Sequence, residues 1–189
     1  MTVQSIYSLV PYHPYWTYDD DGDRIQNPAF NDDGRMLLNL KNAADPKHSQ
    51  AVTQATALVQ GALARLPSRV WSAQVHVVVV PSSKQKQWSK GLCAIAARIC
   101  SGHGALVDNS EALVRVKNID KLATGGDRGV HVHYQSIEIS PAAQQRLRGK
   151  TVLLLDDITT TGNSLQACAL LLKQAGAAEI FPLAIGRTA

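Results

Sequence analysis

The stretch from Thr151 to Leu165 most constrains how this chain can fold. It begins with a continuous apolar run, residues 152–155, passes the adjacent acids Asp156 and Asp157, and enters a turn of hydroxyl residues and glycine. A short, bounded apolar run is typical of a strand that is buried on both faces. After the turn, apolar residues recur at helical spacing, at Leu165, Cys168, Leu172 and Ala175. The stretch therefore predicts a strand–turn–helix unit.

The turn has the properties of a phosphate site. It lies at the N-terminus of the predicted helix and consists of Thr160, Thr161, Gly162, Asn163 and Ser164. The first N–H groups of a helix lack intrahelical acceptors, and the helix dipole is positive there, so the turn can bind an anion. The two acids would repel a phosphate but can accept hydrogen bonds from hydroxyl groups. A sugar phosphate satisfies both demands. The alternative is an ordinary strand-to-helix turn capped by Ser or Thr.

A second turn follows another predicted strand. Residues 75–80 form a β-branched run that predicts a central parallel strand, and the turn Pro81–Lys86 comes directly after it. Ligands of open α/β sheets bind beyond the carboxyl ends of the strands, so both turns can face one crevice. The turn offers Ser82, Ser83 and Lys84 to a second anionic group. The alternative is an exposed loop with solvated lysines.

The first turn also resembles a known motif. The residues Asp-Asp-Ile-Thr-Thr-Thr-Gly-Asn-Ser, 156–164, look like the phosphoribosyl-pyrophosphate (PRPP) motif of type I phosphoribosyltransferases. That motif consists of a hydrophobic strand, two acids, two variable residues, Thr-Gly and a small hydroxyl residue. The resemblance covers residues 75–188 and is closest to ComF-like, competence-associated proteins and amidophosphoribosyltransferase-like relatives. A Lys90-Gly91 step and a Leu-Lys element at 38–41 are further, weaker similarities.

The resemblance implies a fold and a reaction. The fold is α/β, a doubly wound, mostly parallel sheet flanked by helices, with a small N-terminal hood. The reaction is transfer of phosphoribose from PRPP to an acceptor with release of pyrophosphate, and no residue specifies that acceptor. Mg²⁺ would arrive with PRPP; no protein group is expected to be a primary ligand, and the two acids would contact the ion at most indirectly. The alternative on the same fold is a non-catalytic PRPP or nucleotide-binding regulator, or a competence-related DNA-handling protein.

The family resemblance also assigns roles to residues. It implies catalytic roles for Asp156, Asp157, Lys84 and Arg128. It implies substrate binding by Ser82 and Ser83, by the six residues from Thr159 to Ser164 (Thr159, Thr160, Thr161, Gly162, Asn163, Ser164), and by Lys117 and Lys121.

A long polar segment corresponds to the mobile basic loop of that family. Residues 117–129 carry Lys117, Lys121, Arg128 and three glycines. Loops of this length in compact domains are often lids. In the family pattern Arg115 belongs to the same element. We expect His131 and His133 to lie on its return strand, where they either donate to pyrophosphate or alternate on a half-exposed strand; the second interpretation is favoured.

The chain is organised as one domain with two parts. Residues 1–50 form the predicted hood or irregular segment, and residues 51–189 form the phosphoribosyltransferase core. The hood segment is rich in aromatic residues, which cover either a base or, by default, the end of the core. Its acidic run, residues 19–23, fails the EF-hand pattern and predicts a solvated turn between hairpin strands.

The composition and charge of the chain indicate a globular protein and limit its possible ligands. The 189 residues are 45% hydrophobic and 18% charged, which indicates a globular chain. The net charge of +4 suits phosphate-rich ligands but is too small to indicate nucleic-acid binding by itself.

The cysteines are expected to be buried free thiols, and no structural zinc is predicted because no cysteine precedes Cys93. Neither a signal peptide nor a membrane span is visible, so the expected location is cytoplasmic, with a homo-oligomer possible.

Overall fold

A computed structural model describes residues 5–119 and 129–189 and contains a five-stranded parallel sheet. The order of strands across it is β1-β9-β8-β4-β5. The strands of the described chain are β1 Tyr7–Tyr12, β2 Trp16–Tyr18, β3 Arg24–Gln26, β4 Val75–Val79, β5 Leu106–Asp108, β6 Leu113–Arg115, β7 Ile137–Ile139, β8 Thr151–Thr159 and β9 Glu179–Thr188. The helices are α1 Asp32–Lys41, α2 His48–Leu63, α3 Lys90–Gly102, α4 Val130–Ser136, α5 Pro141–Leu147 and α6 Asn163–Gln174, with a 3₁₀ turn at Ser68–Ser72. None of the helices described is long and apolar enough to cross a membrane.

The central strand β8 is longer than its apolar run. The sequence predicts a strand over residues 152–155, whereas β8 extends through both acids to Thr159. The extension arises because β8 stays paired with β9 beyond the apolar run, with Asp156 opposite Ala184 and Ile158 opposite Gly186. Pairing with a neighbouring strand, which local composition does not report, therefore sets the end of β8.

Helices cover both faces of the sheet and form two hydrophobic cores. Alternate residues of β4 and β8 point to opposite faces, as expected for strands. Val77 and Leu153 belong to the core under α1, α2 and α3. Val78 and Leu154 belong to the core under α5 and α6. The predicted doubly wound architecture is confirmed.

The connections diverge between β4 and β8. Helix α3 leads from β4 to β5 at one edge, whereas α6 leads from β8 to β9 in the opposite direction. Neighbouring strands whose following connections separate in this way form a topological switch point, where α/β proteins bind their ligands. Both sequence-predicted anion turns directly follow these two strands.

The predicted hood segment contributes to the sheet as well as to a separate hairpin. Strand β1 pairs in parallel with β9 at the edge of the sheet. Strands β2 and β3 form an antiparallel hairpin, as predicted for the acidic turn between them. The carboxylate of Asp19 accepts hydrogen bonds from the N–H groups of Asp21 and Asp23, at 3.1 and 2.8 Å, so it closes the turn itself. The proposed boundary at residue 50 stays a prediction.

One predicted strand is wrong. The segment with His131 and His133 is the short helix α4, not a return strand. Its burial follows helical spacing, because His133 and Ser136 are buried while His131 is exposed. The α4 helix packs against α6. The alternation of His and Val over four residues was too short to distinguish a strand from one turn of helix.

Two glycines allow α1 to approach the core closely. A Cβ atom on Gly91, in α3, would lie 2.6 Å from both the Cδ1 and the carbonyl oxygen of Leu40. A Cβ on Gly186, in β9, would lie 2.5 Å from Cδ1 of Leu37. Leu37 and Leu40 are fully buried. The last turn of α1 is thereby fixed beside the carboxyl end of the sheet.

We predict opposite effects of Gly→Ala at two helical positions. Gly91→Ala should lower the free energy of unfolding by about 1–3 kcal/mol, because the new methyl group overlaps Leu40. Gly61→Ala in α2, where a Cβ would meet nothing within 4 Å, should raise stability by up to about 1 kcal/mol through helix propensity. Urea unfolding of both variants measures the difference. Equal stability of the two would contradict the close seating of α1.

Candidate functional site

The two acids at the end of β8 point to opposite faces of the sheet. Asp156 continues the side of β8 that faces α6, and the hydroxyl of Ser164 in α6 donates a hydrogen bond to its Oδ2 at 3.0 Å. Its Oδ1 accepts from the N–H of Asp157 at 2.9 Å. Asp157 continues the other side, where its Oδ1 lies 3.5 Å from Nζ of Lys41 at the end of α1. Each acid therefore has a different neighbouring helix and a different partner.

Burial makes the Asp156 carboxyl unusual. The residue is only 8% exposed. Loss of solvent raises the pKa of Asp156 to about 7, and the nearby charge of Asp157 adds to this. Hydrogen bonds from Ser164 and from the Asp157 N–H, with the charge of Lys41, act in the opposite direction. Asp156 can therefore hold or release a proton near neutral pH.

Lys41 is a site residue that sequence reasoning did not assign. Its side chain is 46% exposed, whereas that of Asp157 is 17% exposed, so the ammonium group lies at the mouth of the site. Its position depends on the packing of α1 against Gly91 and Gly186. The weak Leu-Lys resemblance at 38–41 was the one available signal.

The phosphate turn has the backbone form that its glycine allows. Gly162 has φ +82° and caps α6 without a side-chain hydrogen bond of its own. The side chain of Ile6 packs against Gly162, and the Arg187 guanidinium donates to the Ile6 carbonyl at 3.1 Å. Gly162 thus lies under the N-terminal segment, next to β9.

The hydroxyl residues of the turn differ in their surroundings. Thr160 and Thr161 are exposed, and the Thr160 hydroxyl pairs with that of Thr188 at 2.8 Å. The Thr159 side chain points inward, and its buried Oγ1 has no hydrogen-bond partner among the described residues. Ser164 is committed to Asp156. The turn is consequently connected to the acid pair by a direct hydrogen bond.

The second predicted turn lies beside the acids. The N–H of Val80 donates to the carbonyl of Leu155 at 2.9 Å, so the chain leaves β4 next to Asp156. The turn is closed by a hydrogen bond from the Ser82 N–H to the Gln87 carbonyl, and Lys86 adopts φ +54°. Ser82 and Ser83 are half-buried.

The predicted basic groups are distributed unevenly. Lys84 and Lys117 are exposed. Lys121 and Arg128 lie outside the described residues. Arg115 is not a solvent-facing lid residue, because it is 1% exposed beneath the second turn. The site described here therefore consists of the acid pair, the two turns, Lys41 and the buried Arg115.

Comparison with known families agrees with this geometry. Residues 112–181 match the model of the phosphoribosyl transferase domain. The match includes β6, the acid pair and the phosphate turn, and it ends within β9; the Pro81–Lys86 turn lies outside it. The matched range is shorter than residues 75–188, over which the sequence resembles type I phosphoribosyltransferases. No curated protein matches the chain significantly. The five-stranded parallel sheet flanked by helices is consistent with the α/β fold of type I phosphoribosyltransferases, and the domain match over residues 112–181 suggests a function of this type.

We predict that Asp156 makes stability depend on pH. Its folded-state pKa is raised above the unfolded value, so folding favours the protonated form, and stability falls as pH rises from about 4 to about 7. Asp156→Asn keeps a neutral group of the same shape and should raise the unfolding free energy at pH 8 by about 1–3 kcal/mol. At pH 4 the gain should vanish. Thermal unfolding across this range measures it, and a pH-independent gain would contradict the assignment.

We also predict that Lys41 lowers the pKa of Asp156. Lys41→Met removes the positive charge that lowers the pKa of Asp156, so this pKa should rise further. Carboxyl-carbon NMR titration measures the shift. Lys47→Met is the matched control, because Lys47 is exposed and forms no ion pair with another described residue. Equal titration curves for wild type and Lys41→Met would contradict the contact.

Proposed function

We propose that this protein is a phosphoribosyltransferase that binds PRPP and transfers its phosphoribosyl group to a small-molecule acceptor. The observation that carries the proposal is the direct hydrogen bond that joins the acid pair to the N-terminal turn of α6. Ser164 supplies this coupling, since it lies in the first turn of α6 and donates to Asp156. The unit falls within the matched phosphoribosyl transferase domain.

The 5-phosphate of PRPP would bind at the turn before α6. Residues 160–164 present N–H groups and hydroxyls there, and the helix dipole favours the negative charge. The ribose hydroxyls would donate to the carboxylates of Asp156 and Asp157. Each carboxylate would accept from a separate hydroxyl. Lys41 would add a positive charge beside Asp157 at the mouth of the site.

The pyrophosphate group would lie at the second turn. The acceptor attacks C1 of the ribose as the bond between C1 and the pyrophosphate oxygen breaks, and the electron pair of that bond leaves with pyrophosphate. The transition state has oxocarbenium character, as in glycoside cleavage. When both are ionised, the two carboxylates would stabilise the developing positive charge. Lys84 would stabilise the leaving group, with Lys117, Lys121 and Arg128 contributing from the basic segment.

The chemistry of the donor groups fits Mg²⁺. This ion prefers oxygen ligands and binds through one or two carboxylates together with substrate phosphates. The substrate would supply the phosphate oxygens, and the Asp156 and Asp157 carboxylates lie near the proposed pyrophosphate turn. When bound with PRPP, the ion would neutralise charge on the leaving group. We expect the two acids to contact it indirectly, through the ribose hydroxyls.

The acceptor and the closest relatives are further parts of the proposal. The ComF-like and amidophosphoribosyltransferase-like resemblance depends on the proline before the first turn, the Lys90-Gly91 step, the Arg115 to Arg128 segment and the Ala-Gly-Ala-Ala-Glu-Ile ending. The structure provides a physical reason for Gly91, because Leu40 occupies the space of a side chain there. The β2–β3 hairpin leaves β1 at the carboxyl edge of the sheet and exposes Trp16 and Tyr18. We propose that this hairpin contributes to the acceptor side of the site.

We predict that removing both carboxylates abolishes function. Asp156→Asn combined with Asp157→Asn should weaken Mg²⁺-dependent PRPP binding by at least about 100-fold, since two charge-assisted hydrogen-bond acceptors are lost. Calorimetry with PRPP measures this. Asp20→Asn combined with Asp21→Asn is the matched control, because it removes two adjacent acids from the exposed hairpin turn. Unchanged binding in the first double variant would rule out the site.

Catalysis is tested by pyrophosphate release. Wild-type protein is incubated with PRPP, Mg²⁺ and a panel of bases and amines, with a no-acceptor control. Acceptor-dependent release supports transfer. Tight PRPP binding without release for any acceptor favours the alternative of a PRPP-binding regulator. Salt-dependent DNA binding that PRPP does not affect would favour the DNA-handling alternative.

A further inference from the structure

The buried side chain of Arg115 contacts the second turn from below. Its Nε donates to the Ser82 carbonyl at 2.5 Å, and its Nη2 donates to the Pro81 carbonyl at a longer distance of 3.4 Å. The guanidinium also reaches α4, where its Nη1 donates to the hydroxyl of Ser136 at 2.6 Å. A residue that is 1% exposed cannot reach solvent, so its charge acts within the protein.

The contact with Ser82 determines the direction of a backbone amide. In a trans peptide the carbonyl of one residue and the N–H of the next point in opposite directions. Arg115 holds the Ser82 carbonyl inward, so the N–H of Ser83 points outward. That N–H makes no hydrogen bond with the parts of the chain that the structure describes. Outward N–H groups in a turn are suitable donors to an anion.

The rest of the turn is fixed to the same support. The Lys86 N–H donates to the Arg115 carbonyl at 2.9 Å, and the Gln85 N–H donates to the Asn118 side chain at 2.7 Å. The Ser83 carbonyl accepts from the Ile119 N–H at 3.0 Å. The turn is thus held on both sides, while the Ser83 N–H stays available.

We propose that Arg115 is a positioning residue that orients the Ser83 amide toward the pyrophosphate group of PRPP without touching it. This inference rests on the proposed function. The planar guanidinium suits the role because its donors form a rigid fork, whereas a lysine offers a single ammonium group. Arg115 cannot serve as a lid residue and a support at once, and its burial assigns it to support.

The test measures how tightly the same protein binds two ligands, each of which is expected to occupy a different turn. Inorganic pyrophosphate with Mg²⁺ probes the second turn, and ribose 5-phosphate probes the turn before α6. Arg115→Lys keeps the charge but loses the fork, and should weaken pyrophosphate binding by about tenfold with ribose 5-phosphate binding unchanged within about twofold. Arg146→Lys is the matched control; Arg146 forms a hydrogen bond to Asn109 in a different cluster. It should change neither affinity.

A second measurement does not depend on ligands or activity. Hydrogen exchange at the amides of Ser82, Gln85 and Lys86 should be about tenfold faster in Arg115→Lys, while the amides of α6 exchange as in wild type. An equal loss of affinity for pyrophosphate and for ribose 5-phosphate would overturn the inference. So would unchanged hydrogen-exchange rates at the amides of the second turn. Failure of pyrophosphate release from PRPP alone would count against the proposed function and not against Arg115, whose role is decided by the affinity ratio and the exchange rates.

Discussion

Strand pairing beyond the apolar run of β8 is the constraint on which the site depends. The backbone stays extended through Asp156 and Asp157 because β9 continues to pair with it. An extended backbone sends successive side chains to opposite faces. If β8 ended at Leu155, the acids would lie in a turn without a fixed direction. The pairing therefore converts two adjacent carboxylates in the sequence into two separate positions in space.

The two positions have different physical environments. Asp156 is buried against α6, and its pKa is raised to about 7 mainly because the ionised form loses solvent there. Asp157 is closer to solvent and has an ammonium group 3.5 Å away. The charge of Asp157 still adds to the raised pKa of Asp156, so the two carboxyl groups interact while they differ in burial and in neighbouring groups.

The sequence predicts the local units of the site but not the contacts between distant parts. The β8–α6 unit and the turn after β4 follow from apolar periodicity and from residues at strand ends. The sequence did not identify Lys41 as a partner of Asp157. It also placed Arg115 in the lid, although the structure buries it under Ser82. Both contacts depend on packing between segments that are far apart in the chain.

The helix α4 shows a second reason for failure. The few residues around His133 are compatible with a strand or a helix, and packing against α6 selects the helix. In contrast, the short helix α5 was predictable because Ser140 caps it and Pro141 occupies its first position. The local sequence predicts a helix correctly when a cap or a proline acts within one turn. It does not when packing against a helix distant in the chain determines whether the segment is a strand or a helix.

The attachment of Lys41 to α1 has a consequence for how such a protein can diversify. The segment that carries the exposed aromatic hairpin also carries Lys41, which lies beside Asp157 and whose charge lowers the pKa of Asp156. Under the proposal that this segment contributes to the acceptor side, exchanging the whole segment would change the acceptor preference and the pKa of Asp156 at the same time. The acceptor preference and the pKa of Asp156 would then change together, unless the exchanged segment ended before Asp32, at the start of α1. Recombination between relatives should therefore be tolerated best between the hairpin and α1.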